Sequence, residues 1–178
     1  MILHLVRHPR PLIAPGICYG RLDVAAESDG AALDRLRAGL PPGLPVWTSP
    51  LRRCLDLAVQ LHPSPAVDAR LAEMDFGTWE GRPWDEVPRA ELDAWAADVA
   101  GYAPPGGESP RQLQERVLEF VVGLAVGEAV LVTHGGVIRV LEAHVTGRPI
   151  AANLARVAGY GTVTTLTFRD AATSGDLR

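Results

Sequence analysis

Two short apolar runs, far apart in the chain, each stop on a polar residue followed at once by residues that cannot extend a strand. MILHLVRHPRP carries Ile2–Val6 into Arg7-His8 and then Pro9, Arg10 and Pro11; VLVTHGG carries Ala129–Thr133 into His134 and two glycines. Proline fixes its own φ and has no N–H for a ladder. In the first run Ile2, His4 and Val6 would face one side, and Leu3, Leu5 and Arg7 the other. Runs of this length that are apolar on both faces suit strands covered by helices on both sides, the usual setting of parallel sheets.

Helical patterns fill the stretches between. Leu33, Leu36 and Leu40 recur at helical spacing behind Ser28 or Asp29 as a cap. Leu51, Leu55, Ala58 and Val59 line one face of a helix that Pro63 and Pro65 end. Leu92, Trp95, Ala96 and Val99 mark a third helix, and Leu113, Val117, Val121 and Leu124 a fourth. GGVIRVLEAHVTG reads as a fifth, stopped at Gly147. VWTSP is a short strand, Val67 lies in an extended piece, and TVTTLTF is a last alternating strand. LAEMDFGTWEGRPW is a polar-aromatic loop without period. Strands alternating with helices predict an α/β fold with a mainly parallel sheet. At 178 residues it is expected to be one domain over residues 1–178, with a frayed tail after Phe168.

The bulk numbers narrow the partners. A net charge of −4 argues against broad nucleic-acid or anionic-membrane binding. Cys18 and Cys54 form neither a disulfide framework nor a metal-ligand spacing. There is no basic segment followed by a long apolar one, and no run of membrane-span length, so a soluble cytoplasmic protein is expected. A homodimer remains open.

In an open sheet of this kind, ligands bind beyond the carboxyl ends of the strands. Arg7-His8, Thr48-Ser49 and Thr133-His134 fall at such ends. Arg7 and Arg52 or Arg53 could converge on an anion, and guanidinium forks suit phosphate geometry. Helix starts after Ser49-Pro50 and after His134 would add backbone N–H groups. A neutral imidazole can accept a phosphoryl group, and a carboxylic acid such as Glu73 could protonate the departing alkoxide. Each residue also has an ordinary reading. His8 could be a polar loop residue, and Arg52-Arg53 a solvated helix face. Ser109, with Pro110 and Gln112, forms a capping box. His4, His62 and His144 are assigned to packing.

Taken together, "LVRH", "SPLRRC", "LAEMDFGTWEG", "GGES" and "VTHGGVIR" resemble, in order and spacing, the histidine phosphatase superfamily, also called phosphoglycerate mutase-like. The resemblance implies a three-layer α/β/α sandwich and a phosphohistidine intermediate, with no metal or other cofactor. It implies His8 as nucleophile and Glu73 as proton donor and acceptor. Arg7, Arg53 and His134 would be the phosphate-binding residues, with Arg10, Tyr19, Ser109 and Gly135 as candidates for substrate binding. The compact length and the EMDFGTWEGRPWDEV segment look most like alpha-ribazole phosphatases. That implies hydrolysis of the small-molecule phosphomonoester alpha-ribazole 5′-phosphate in cobalamin nucleotide-loop assembly. The alternatives are a broad-specificity sugar phosphatase, a phosphoglycerate mutase-type phosphotransferase, or a non-catalytic phospholigand-binding domain. One departure stands out: where the family has glycine and then Glu or Gln after the histidine, this chain has Pro9-Arg10. The family asparagine a few residues on has no counterpart in LIAPGICYG, and Arg10 is the candidate to replace it.

Overall fold

The computed structural model describes residues 1–155 and 159–168, so the expected frayed tail lies outside the described residues. Among the described residues, five strands form one sheet: β1 (Ile2–Arg7), β2 (Val46–Thr48), β3 (Ala66–Val67), β4 (Glu128–Thr133) and β5 (Val163–Thr167). Their order is β3-β2-β4-β1-β5. β4 lies parallel between β1 and β2, β3 is parallel to β2, and β5 closes the edge antiparallel to β1.

Helices cover both faces, which accounts for the apolar runs. On one face Leu3, Leu5, Ala129 and Leu131 pack with Leu113, Val117 and Phe120 of α4 (Pro110–Val122) and Val137, Ile138 and Leu141 of α5 (Gly135–Thr146). On the other, Val6, Val46, Val130 and Val132 pack with Leu36 of α1 (Gly30–Gly39) and Cys54, Leu57 and Ala58 of α2 (Arg52–Leu61). This is the expected three-layer α/β/α sandwich.

Helix ends follow their local chemistry. Asp29 caps α1, accepting from Ala32 N–H at 3.0 Å. Ser109 caps α4 in a capping box with Gln112. Gly147, at φ 67°, ends α5 in the left-handed region that favours glycine.

Three expectations need correction. The buried face of α2 carries Arg53, Cys54, Leu57 and Ala58, and Val59 is exposed. A guanidinium on the inner face has displaced the pattern that the apolar residues alone would set. The polar-aromatic loop contains a short 3₁₀ turn at Gly77–Trp79 and is flanked by two more, at Ala69–Leu71 and Trp84–Glu86. Beyond α3 (Arg89–Ala97), α4 and α5 there is a further short helix, α6 (Ile150–Leu154).

Leu131 sits in the central strand, fully buried, whereas Val122 is 84% exposed. Leu131→Ala is therefore expected to lower unfolding free energy by about 2–5 kcal/mol. Val122→Ala should change it by no more than about 0.5 kcal/mol. Denaturant titration of the two variants checks this ordering.

Candidate active site

The two polar run-ends meet. Parallel pairing sets Arg7 opposite Thr133, and His8 N–H donates to the Thr133 carbonyl at 3.1 Å. β2, on the other side of β4, brings Ser49 to the same edge. The His8 and His134 rings then lie edge to face with centroids 5.1 Å apart.

Both imidazoles have defined tautomers. His8 Nδ1 lies 2.6 Å from the Pro9 carbonyl, which can only accept, so Nδ1 carries the proton and Nε2 keeps the lone pair. Arg53 Nε donates to His134 Nδ1 at 3.2 Å, which leaves the proton on His134 Nε2, facing Ser49 Oγ at 2.7 Å. Burial lowers the His8 pKa to about 3, and the nearby Arg53 and Arg7 charges press it the same way. Burial, with Arg53, also holds His134 well below the ordinary imidazole value. The site therefore presents a neutral ring nitrogen among cations, which suits attack on an anion.

Arg53 is almost wholly buried and is fixed by Leu22 O at 2.9 Å and Gly20 O at 2.5 Å besides His134. Arg7 lies with its guanidinium 3.9 Å from the centre of the Tyr160 ring. Gly135 lets that guanidinium lie close, since a Cβ there would stand 3.2 Å from Arg7 Cζ. Cys54 Sγ is 3.4 Å from His134 Nε2, but burial drives its thiol pKa far up, so it is no nucleophile at neutral pH.

A cavity of about 290 Å³ opens on this edge, and its lining includes Arg7, His8, Tyr19, Glu73, Phe76 and Trp84. Arg53 and His134, both buried, are not part of this lining. The Glu73 carboxylate accepts from Met74 N–H at 2.9 Å and from Gly136 N–H, in the first turn of α5, at 3.0 Å. A Cβ on Gly136 would collide with Glu73 Oε1, so glycine is what permits this approach. Away from the histidines the wall is mostly apolar and aromatic, with Ile17, Leu113, Trp95 and Leu154. Two buried donors there, Arg139 Nε and Trp95 Nε1, have no hydrogen-bond partner among the described residues.

The remaining sequence candidates are placed as follows. Tyr19 lines the cavity and shares a 2.9 Å hydrogen bond with Tyr160 OH. Arg10 is exposed and lines a neighbouring groove with Tyr160, its guanidinium 5.6 Å from that ring. The Ser109 hydroxyl accepts from Gln112 N–H at 3.3 Å as the α4 cap, and Ser109 does not line the cavity. Sequence reasoning missed Tyr160, Arg139 and Gly136. The extra glycine after His134-Gly135 was the available signal for the last.

The buried histidines leave a mark on stability. An imidazole with an ordinary value of 6.5 takes up a proton in the unfolded chain, while His8 stays neutral in the fold down to about 3. Its contribution is complete above pH 6.5 and is lost as pH falls from there toward 3. The denaturant midpoint is expected to fall between about pH 7 and pH 5. The fall should be smaller in His8→Gln, and an unchanged fall would contradict this burial.

Comparison with known proteins places the chain in a family. The sequence profile of the histidine phosphatase superfamily (branch 1) matches residues 3–176. The crystal structure of TTHB049 from Thermus thermophilus superposes with a TM-score of 0.77 at 34% identity, covering 94% of each chain. The mycobacterial glucosyl-3-phosphoglycerate phosphatase Rv2419c gives a TM-score of 0.76 at 30% identity, covering 92% of this chain and 88% of that one. The glucosyl-3-phosphoglycerate phosphatase of Mycolicibacterium vanbaalenii is 36% identical over 147 residues, 72% of this chain. That match spans only 64% of the relative's own length. The chain belongs to the histidine phosphatase superfamily.

Proposed function

We propose that the chain hydrolyses a small-molecule phosphomonoester in two steps through phosphohistidine. The observation that carries this reading is the placing of the His8 lone-pair nitrogen and the Glu73 carboxylate on one cavity among arginines. His8 Nε2 attacks phosphorus in line, forming the P–N bond as the ester P–O bond breaks. Protonated Glu73 gives its proton to the departing oxygen. Water then attacks phosphorus, loses a proton to Glu73, and releases His8. Arg7, on the cavity, meets the phosphoryl oxygens. Arg53 and His134, bonded to Gly20 O, Leu22 O and Ser49 Oγ and outside the lining, add positive field and hold the pocket's shape. The Pro9 carbonyl bonds to Nδ1–H and balances the charge that develops on the ring. Tyr19 and Gly135 border the site. Arg10 is a candidate for contacting the outer part of a substrate.

A cavity of about 290 Å³ suits a compact leaving group. Its aromatic wall, with Phe76, Trp84 and Trp95, offers apolar contact to a leaving group with an aromatic ring, and alpha-ribazole 5′-phosphate has one. A second reading, glucosyl-3-phosphoglycerate, draws on the names of the mycobacterial relatives and on Arg139, whose guanidinium matches a carboxylate.

Labelled substrate should leave an acid-labile, base-stable phosphate on the wild-type protein and none on His8→Ala. Sustained turnover without any label would overturn the phosphohistidine route, and phosphate binding with neither label nor turnover of any ester would favour a binding domain. On a panel, kcat/KM for alpha-ribazole 5′-phosphate is expected to exceed that for glucosyl-3-phosphoglycerate, 3-phosphoglycerate and sugar phosphates by at least about tenfold. The reverse order would assign the second reading. Transfer of phosphate between glycerate positions without release of inorganic phosphate would assign a mutase.

A further inference from the structure

The phosphate-binding groups stand on strand ends and helix starts, but Glu73 does not. It lies between the 3₁₀ turns Ala69–Leu71 and Gly77–Trp79, in a stretch whose backbone belongs to no ladder. Carbonyls of such a stretch need partners from elsewhere if they are buried.

One side chain supplies most of them. Arg116, on α4, donates Nη1 to Arg70 O at 2.7 Å and Nη2 to Ala72 O at 2.9 Å and Glu73 O at 3.0 Å. The same guanidinium is held by Glu108 through both oxygens, Nε to Oε2 at 2.9 Å and Nη2 to Oε1 at 2.5 Å. Glu108 Oε1 also accepts from Asp75 N–H at 3.0 Å, and its backbone N–H donates to Asp75 O at 2.9 Å. Arg21 Nε adds a second bond to Glu73 O at 2.9 Å. The chain is thus fastened just before, at and just after the carboxylate. The Arg116 and Glu108 side chains are only 18% and 15% exposed, and neither residue lines the cavity. A bidentate pair with so little water around it has one preferred geometry.

We propose that Arg116 and Glu108 are positioning residues for proton transfer, setting where the Glu73 carboxylate stands relative to the departing oxygen without touching substrate. The inference rests on Glu73 as the acid of the proposed reaction. It concerns the leaving group's proton and not the phosphoryl pocket, and that difference can be measured. An alkyl phosphate expels a poor alkoxide that needs the proton, whereas p-nitrophenyl phosphate expels a stabilised phenolate that departs without it. A role confined to stability would lower both rates together.

The experiment compares kcat/KM for glycerol phosphate and p-nitrophenyl phosphate in Arg116→Lys, Arg116→Gln and Glu108→Gln, at a temperature below each variant's melting transition. This parameter reports only the steps through release of the first product. A misplaced acid is expected to cost about 10²-fold on the alkyl ester and less than about fivefold on the aryl ester. Arg116→Lys retains a cation for Glu108 but cannot span three carbonyls, so it should show the same selectivity even if Arg116→Gln fails to fold. Adding Arg116→Gln to Glu73→Gln should bring no further loss on the alkyl ester. Equal losses on both esters, or none on either, would overturn the proposal. If Glu73→Gln itself shows no leaving-group selectivity, the acid assignment falls and takes this inference with it.

Discussion

The parallel pairing of β1 with β4 is the constraint on which the rest of the site depends. Its register places Arg7 opposite Thr133, and the next residue on each strand is a histidine. A slip of one residue would turn Leu3 and Leu5 away from α4 and α5 and carry His8 out of reach of His134. The buried leucines on one face and valines on the other therefore hold the catalytic edge in place as well as the core. Thr133 ties the strand end to the 70s loop by donating its hydroxyl hydrogen to Leu71 O at 2.8 Å.

Burial then sets the chemistry of that edge. His8 and His134 lie almost wholly out of water beside Arg53 and Arg7, and each imidazole is driven toward its neutral form. The Pro9 carbonyl selects which nitrogen of His8 keeps a lone pair. Pro9 itself, where the family pattern has glycine, thus contributes a backbone acceptor of the kind any residue offers. The acid arrives from a different part of the fold. Glu73 comes from a loop, guided to α5 by Gly136 and secured by side chains of α4 and the loop preceding it. Glu80 performs a similar task nearby, joining the loops by accepting from Arg21, Leu22 and Phe76 N–H groups.

The sheet, its flanking helices and the two histidine strand ends were legible because burial periodicity and strand termination are local signals. Ser109 was legible as a cap for the same reason. The face of α2 was misread because Arg53 turns a charge inward, and apolar spacing cannot anticipate a charge whose partners are Gly20 O, Leu22 O and His134. Tyr160 and Arg116 were invisible for a related reason. Tyr160 meets Tyr19 across 141 positions, and Arg116 bonds to loop carbonyls 43 to 46 positions away. Bonds to main-chain carbonyls impose no residue type on the chain that accepts them, so they leave no pattern to read. Substrate identity was beyond local reading too, since residues from many separate segments line the cavity.

The central claim is that His8 enters the reaction through Nε2, with its Nδ1 proton held by the Pro9 carbonyl. Nitrogen-phosphorus coupling in protein carrying ¹⁵N-labelled histidine, trapped during turnover of a phosphomonoester, tests this atom by atom. The account predicts a ³¹P–¹⁵N coupling at Nε2 of His8, with Nδ1 still protonated. Coupling at Nδ1, or at a nitrogen of His134, would contradict it.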